Sequence, residues 1–215
     1  MKPLLDQIGD ELRAELERLA STRRFDDGQM IFAAFEDASF LPIVVSGKVK
    51  MLHVFENGKE VIIGIFGDGE MFAVPPVFDG APYPASAYAM ETTKLMLLRR
   101  EDFLSLLRKS DEFAFAVIGW TCDMLRDKTA TIQNLATASP DQRVANVLLK
   151  LSEKDGNGGP VKIKVRRQDI AEMAGLTTET TIRVTKRLSE AGLITIVRGK
   201  IIIEEADRLR DFLGQ

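Results

Sequence analysis

Between Gly175 and Ile194 the chain reads GLTTETTIRVTKRLSEAGLI, and four residues in it, Thr178, Glu179, Arg183 and Lys186, carry hydrogen-bonding or charged groups at helical spacing. At 3.6 residues per turn Glu179 and Arg183 stand one turn apart and point the same way, while Val184 and Leu188 fall on the opposite side. In a duplex major groove an arginine makes a bidentate pair with guanine O6 and N7, and a glutamate accepts from cytosine N4. Each such pair discriminates between bases by on the order of 1–3 kcal/mol. A solvated basic helix with an internal Glu–Arg pair would need the same residues, and there the pair contributes only about 0.2–0.5 kcal/mol. The surroundings decide between the two.

Those surroundings are cationic. Arg166, Arg167, Lys186, Arg187, Arg198 and Lys200, with the hydroxyls of Thr177 and Thr180, are spaced to meet phosphates, which position a protein on DNA without reading sequence. Thr178 and Ile182 join Glu179 and Arg183 as candidates for contact with base edges. Residues 139–215 hold 14 Lys/Arg against 11 Asp/Glu, whereas residues 1–138 hold 15 against 21. The two parts therefore expect different partners.

Positioning that helix requires a second one packed closely across a tight turn, and Ala171 and Gly175, four apart, supply the small residue and the glycine. Thr177 is placed to cap the reading helix by accepting from an orphan N–H, and Glu179 sits in the positive end of the dipole. Around this pair the order is a helix QRVANVLLKLSEK, a polar loop DGNGGP, a strand VKIKV, helices RRQDIAEMAG and LTTETTIRVTKRLSEAG, and a hairpin LITIVRGKIIIEE with Gly199 at its tip. That is the order of a winged helix-turn-helix.

Upstream, from Phe25 to about Arg100, glycines punctuate short β-branched runs, PIVVSGKVKMLHVF, KEVIIGIF and KLMLLR, and Asn57-Gly58 is a strong hairpin signal. This predicts an antiparallel roll. After Arg100 the period changes to that of a short helix followed by a long one. On the long helix Val117, Met124, Thr131 and Ala138 lie seven apart, as do Thr121, Lys128 and Leu135. The stripe can pack on its own roll or pair with its copy in a second chain. Pro140 marks a helix junction and a candidate hinge. The expected organisation is a β-roll with flanking helices over 1–110, a long helix over 111–138 and a winged helix-turn-helix DNA-binding unit over 139–215.

Composition removes several classes of function. Cys122 is the single cysteine and His53 the single histidine among 215 residues, so no disulfide and no Cys/His metal cage forms within one chain. An iron–sulfur cluster, which takes about four thiolates, is disfavoured. One His, one Cys and no convergent nucleophile or carboxylate dyad leave little for catalysis. No apolar run approaches the roughly 20 residues of a bilayer helix, and the acidic start of the chain lacks a signal peptide's apolar stretch. The expectation is a cytoplasmic protein that is not an enzyme.

The glycine-punctuated roll, the long helix and the terminal RQDIAEMAGLTTETTIRVTKRLSEAGLI together resemble the Crp/Fnr family of bacterial transcription regulators over nearly the full chain. PIVVSGKVKM, NGKEVIIGIFGDGEMF and Phe78 follow that family's cyclic-nucleotide-binding-like frame. The resemblance implies an α+β chain with an N-terminal antiparallel β-roll, a long dimerisation helix and a C-terminal winged helix-turn-helix. It further implies a homodimer on double-stranded DNA, with one reading helix per half of a pseudo-palindromic operator, and RNA polymerase as a partner. Glu179 and Arg183 match the family's base-reading Glu and Arg in the pattern E-T-x-x-R.

Departures from the family pattern are concentrated in two places. Thr178 stands where cyclic-AMP-type members carry arginine, Thr181 fills a slot that is usually aliphatic, and Ile182 one that is usually small or serine. In the roll the Gly-Glu pair that clamps cyclic AMP reads Ala73-Val74, the downstream arginine falls near Pro84 or Ala85, and no Lys or Arg occurs from Glu70 to Met90. Burying a phosphodiester there without a cation would cost several kcal/mol, so cyclic AMP is disfavoured. Phe72, Val74, Val77, Phe78, Tyr83 and Tyr88, with Trp120 and Met124 of the long helix, would form either ordinary core or a pocket for an apolar effector or a haem. A histidine that ligates haem in some members is replaced by Pro75, leaving His53 as the one imidazole available. Cys122 could join two chains as a redox switch or be an inert buried thiol. The rival to an effector-controlled regulator is a ligand-independent DNA-binding dimer whose roll is only a scaffold.

Overall fold

A computed structural model describes residues 3–155 and 160–214, without the side chains of residues 154 and 155. Most of the loop expected over 155–160 thus lies outside the described residues. The chain divides into two compact units, residues 1–128 and 129–215.

In the first unit an amphipathic helix α1 (Asp10–Leu19) buries Leu12 and Leu16, and seven strands follow in two sheets. They are β1 (Ser21–Phe25), β2 (Met30–Phe32), β3 (Phe40–Ser46), β4 (Val49–Val54), β5 (Glu60–Phe66), β6 (Ser86–Ala89) and β7 (Thr93–Arg99). One sheet has the order β1-β7-β3 and the other β2-β6-β4-β5, with every pairing antiparallel. Alternation along β4 sends Val49 and Met51 into the core with Leu41, Ile43, Leu95 and Phe66. Asn57 and Gly58 form the β4–β5 turn as expected: Gly58 has φ +75° and the Asn57 side chain accepts from the Lys59 N–H at 3.0 Å.

The sequence reading does not contain the next element. Val74–Asp79 wind into a short helix α2 between β5 and β6. Pro75 and Pro76 sit in its first turn, where a missing N–H leaves no intrahelical bond unmade. Arg100 clamps the other end, donating from Nε to the Val77 carbonyl at 2.8 Å and from Nη2 to the Phe78 carbonyl at 3.2 Å. Helix α3 (Arg100–Lys109) and the long helix α4 (Asp111–Thr137) come next.

Of the two roles open to the stripe through Val117 and Met124, packing on its own roll is the one seen. Val117 is buried in the roll core and Met124 packs against it, because α4 must first cover its own roll. Four large apolar side chains of α4, Phe115, Ile118, Leu125 and Ile132, are each more than half exposed, and Leu135 is 40% exposed. With the exposed Cys122 and Thr129 the four repeat at alternating intervals of three and four residues, the spacing of a coiled-coil seam. No helix among the described residues is long and apolar enough to cross a membrane.

The second unit contains the end of α4, helix α5 (Pro140–Asp155), strand β8 (Val161–Ile163), helices α6 (Arg167–Ala174) and α7 (Thr178–Glu190), strands β9 (Thr195–Val197) and β10 (Lys200–Ile203), and helix α8 (Ala206–Leu213). Its sheet has the order β8-β10-β9. Pro140 begins α5 after a tied junction: Ser139 and Gln142 exchange bonds as a capping box, and Arg143 donates to the carbonyls of Leu135 and Ala138. The boundary between the two compact units lies inside α4, between Lys128 and Thr129.

Candidate nucleic-acid interface

Helix α7 is held by its inward face and its first turn. Val184 and Leu188 are buried, while Thr178, Glu179, Ile182, Arg183 and Lys186 are all exposed. Thr177 caps the helix, its Oγ accepting from the Thr180 N–H at 3.2 Å. Gly175 ends α6 with φ +66°, in the left-handed region that a Cβ disfavours, and the Leu176 N–H returns to the Ala171 carbonyl at 2.9 Å. This closure sets the angle at which α7 leaves α6.

Along the outward face Glu179 and Arg183 form a loose i,i+4 ion pair of 3.9 Å, with both side chains largely in solvent. Such a pair stabilises the helix little and leaves both groups available to a partner. Arg183 also reaches Thr180 Oγ1 at 3.5 Å.

The eight residues expected at phosphates are not equally free. Lys200 and Arg198 lie exposed in the β9–β10 hairpin, Arg198 at its tip with φ +47° beside Gly199 at +76°. Lys186 pairs loosely with Glu190 at 3.7 Å. Arg167, half-buried, donates to the Gly199 carbonyl at 3.5 Å, and its burial lowers the guanidinium pKa from the ordinary value. Arg166 folds back on the buried carboxylate of Asp169 at 3.1 Å. Thr177 Oγ is spent in the cap and donates to Thr180 Oγ1 at 2.9 Å. Arg187 is bound bidentately by Asp141 at the start of α5, at 2.9 and 2.7 Å, and that carboxylate raises its pKa. Sequence reasoning misses the Asp141 partner because that pairing joins two separate helices, whereas Asp169 stands only three residues after Arg166 and is legible from spacing.

The candidate effector residues do not form one group. Phe72, Val74, Val77, Tyr83 and Trp120 belong to the roll core, with Met124 packed against it. Phe72 stacks on Phe66 at 5.1 Å, Tyr83 stacks on Phe32 at 3.7 Å, and the Tyr83 hydroxyl donates to the Phe40 carbonyl at 2.7 Å. Burial pushes the Tyr83 phenol up to about 12. Trp120 Nε1 is buried without a hydrogen-bond partner. Phe78 points into solvent from α2, 59% exposed. Tyr88 lies on the sheet face opposite the core residues Ala87 and Ala89, paired across the strands with Lys50, a buried cation that the sequence reading does not place there.

His53 Nδ1 lies 2.9 Å from the Pro84 carbonyl, which fixes the imidazole against the start of β6. Among the described residues no three His, Cys, Asp or Glu side chains are grouped to hold a metal ion. Cys122, on the outer stripe of α4, is an exposed free thiol.

Comparison with known proteins matches residues 22–110 to the cyclic nucleotide-binding domain and residues 142–212 to the Crp-like helix-turn-helix domain. The chain is 31% identical over 189 residues to a cyclic AMP receptor protein of Thermus thermophilus, covering 88% of this chain and 86% of that one. It is 25% identical to a CRP-like cAMP-activated global transcriptional regulator of Mycobacterium tuberculosis, covering 86% and 84%. Among solved structures it is similar to FixK2 from Bradyrhizobium japonicum, with a TM-score of 0.81 at 22% identity over 89% of this chain and 96% of that one. A winged helix-turn-helix behind a β-roll, with both domains matched and a relative above 30% identity across most of its length, makes this chain a member of the Crp/Fnr family of transcription regulators.

Proposed function

We propose that this regulator acts as a homodimer on a pseudo-palindromic operator, with α7 of each chain in the major groove of one half-site. The observation that carries the reading is the outward face of α7: Glu179 and Arg183 are exposed, aligned and only loosely paired, on a helix whose opposite side is fully buried. In this reading they meet a G·C pair, with Thr178 and Ile182 beside them. Lys186, Arg198 and Lys200 hold phosphates, Arg167 steadies the wing tip, and Thr180 completes the first turn. The second chain docks on the α4 stripe of Phe115, Ile118, Leu125 and Ile132. RNA polymerase is the partner through which a bound dimer changes transcription.

The roll is a sensor that does not take cyclic AMP, although relatives are named for it. Pro75 and Pro76 remove two donors from the first turn of α2, Ala73-Val74 replaces the clamp, and the buried Lys50 lies on the sheet face away from the core. A phosphodiester would find neither cation nor backbone N–H enough to replace its water.

Selection of bound sequences from random duplexes tests the DNA reading: a two-fold symmetric site with G·C in each half supports it, and the absence of any preferred duplex overturns it. Isothermal titration tests the sensor reading, with micromolar binding of cyclic AMP as the contrary result.

A further inference from the structure

We propose that Ile182 is a specificity-determining residue that reads the C5-methyl group of a thymine, in the base step next to the one met by Glu179 and Arg183. This rests on α7 being the reading helix and names one further base for it.

Burial on α7 runs against side-chain polarity at three neighbouring positions. Thr181 and Thr185 are buried at 0% and 2%, while Ile182 between them is 52% exposed. Thr185 satisfies its hydroxyl on the Ile182 carbonyl at 3.0 Å, and Thr181 Oγ1 has no hydrogen-bond partner. Folding alone would favour the reverse arrangement, with the isoleucine inside and a threonine in water. Helix propensity does not select a β-branched residue at an exposed site either. A lone exposed isoleucine is ordinary on a surface; what marks this one is its place on the outward face of the reading helix, between two buried threonines.

The neighbours narrow that partner. Ile182 shares a row with Thr178 and Lys186, four residues to either side, and lies beside Glu179 and Arg183. A single apolar group amid hydroxyl, carboxylate and cations does not make an apolar docking face for another protein. It does fit a polar, negatively charged surface that bears isolated methyl groups, and a major groove is such a surface. Thymine alone among the four bases offers a methyl there. An isoleucine held against cytosine N4 or a purine N7 would strip water from a polar group and give nothing back. Ile182 thus attracts one base and disfavours the others.

The test uses the full chain and the operator obtained by selection, with each thymine of the half-site replaced in turn by uracil, which removes only the methyl. One position should weaken binding by about fourfold per half-site, the equivalent of one buried methyl group, and by about fifteenfold when both halves are changed. Ile182→Ala should abolish the thymine–uracil difference at that position while keeping the adjacent G·C preference, and Ile182→Ser should behave alike. Since the side chain is exposed, both variants should melt with the parent protein. Uracil tolerated at every position, or a uracil penalty undiminished in Ile182→Ala, overturns the proposal while leaving the G·C readout standing. Failure to select any preferred duplex removes the proposal together with the reading beneath it.

Discussion

At the scale of single residues, the proposed division between base readers and phosphate anchors has distinct signatures. Arg183→Ala should relax preference at one base position, with a loss of about 1–3 kcal/mol on the preferred site alone. Lys200→Ala should weaken all sequences alike and reduce the salt slope by about one unit. Uniform weakening by both variants, read from binding at several salt concentrations, would reverse these assignments. Arg187 is a different case, because Asp141 already holds its guanidinium on both nitrogens. Arg187→Ala should change the salt slope by clearly less than Lys200→Ala, and Asp141→Asn should raise affinity for random duplexes by releasing the cation. Tyr83 gives a pH signature: the folded chain keeps its phenol neutral up to about 12, against 10.0 when unperturbed. Stability present below pH 10 should therefore fall as pH climbs toward 12, where the unfolded chain ionises first. Tyr83→Phe should flatten that limb in denaturation curves collected from pH 9 to 12. Glu179 and Arg183 are legible in the sequence because one helical turn separates them. The partner of Arg187 is not, since that contact joins residues 46 apart.

At the scale of elements, the turns discriminate between glycines that look alike in sequence. Gly47, between β3 and β4, has φ +96°, and a Cβ there would lie 2.6 Å from Thr93 Oγ1 and 2.8 Å from the Thr92 carbonyl. Gly58 has φ +75° but open space around it. Gly47→Ala should destabilise the roll by more than about 2 kcal/mol, whereas Gly58→Ala should lose about 1 kcal/mol from its backbone conformation alone. Equal midpoints in urea for the two variants would contradict this. The β4–β5 hairpin and the helix-turn-helix are legible because Asn57-Gly58 and Ala171/Gly175 act locally. Helix α2 is hidden by its own prolines, which read as loop residues unless a helix start is suspected. The capping box at Ser139 and Gln142 is written openly as S-x-x-Q, yet Pro140 between them draws attention to a bend instead.

At the scale of the molecule, sequence periodicity reveals that α4 is long and amphipathic but not which of its rows faces outward. Two apolar rows run along it, and only the roll core, by absorbing Val117 and supporting Met124, leaves the row of Phe115, Ile118 and Leu125 exposed. On the proposed dimer, Leu125→Glu should therefore give a monomer in light scattering and lower operator affinity by about a hundredfold or more, since the linkage between two half-sites is lost. Thr121→Glu, on the row first suggested by spacing, should do neither.

The outer row of α4 carries a further implication for how such a regulator works in a cell. If two chains must meet along that strip before an operator is gripped, then at scarce supply the share of filled operators rises with the square of chain number, and doubling expression gives about four times the occupancy. Abundance then becomes an input in its own right, steep enough that modest changes in synthesis or turnover switch the target genes without any small molecule.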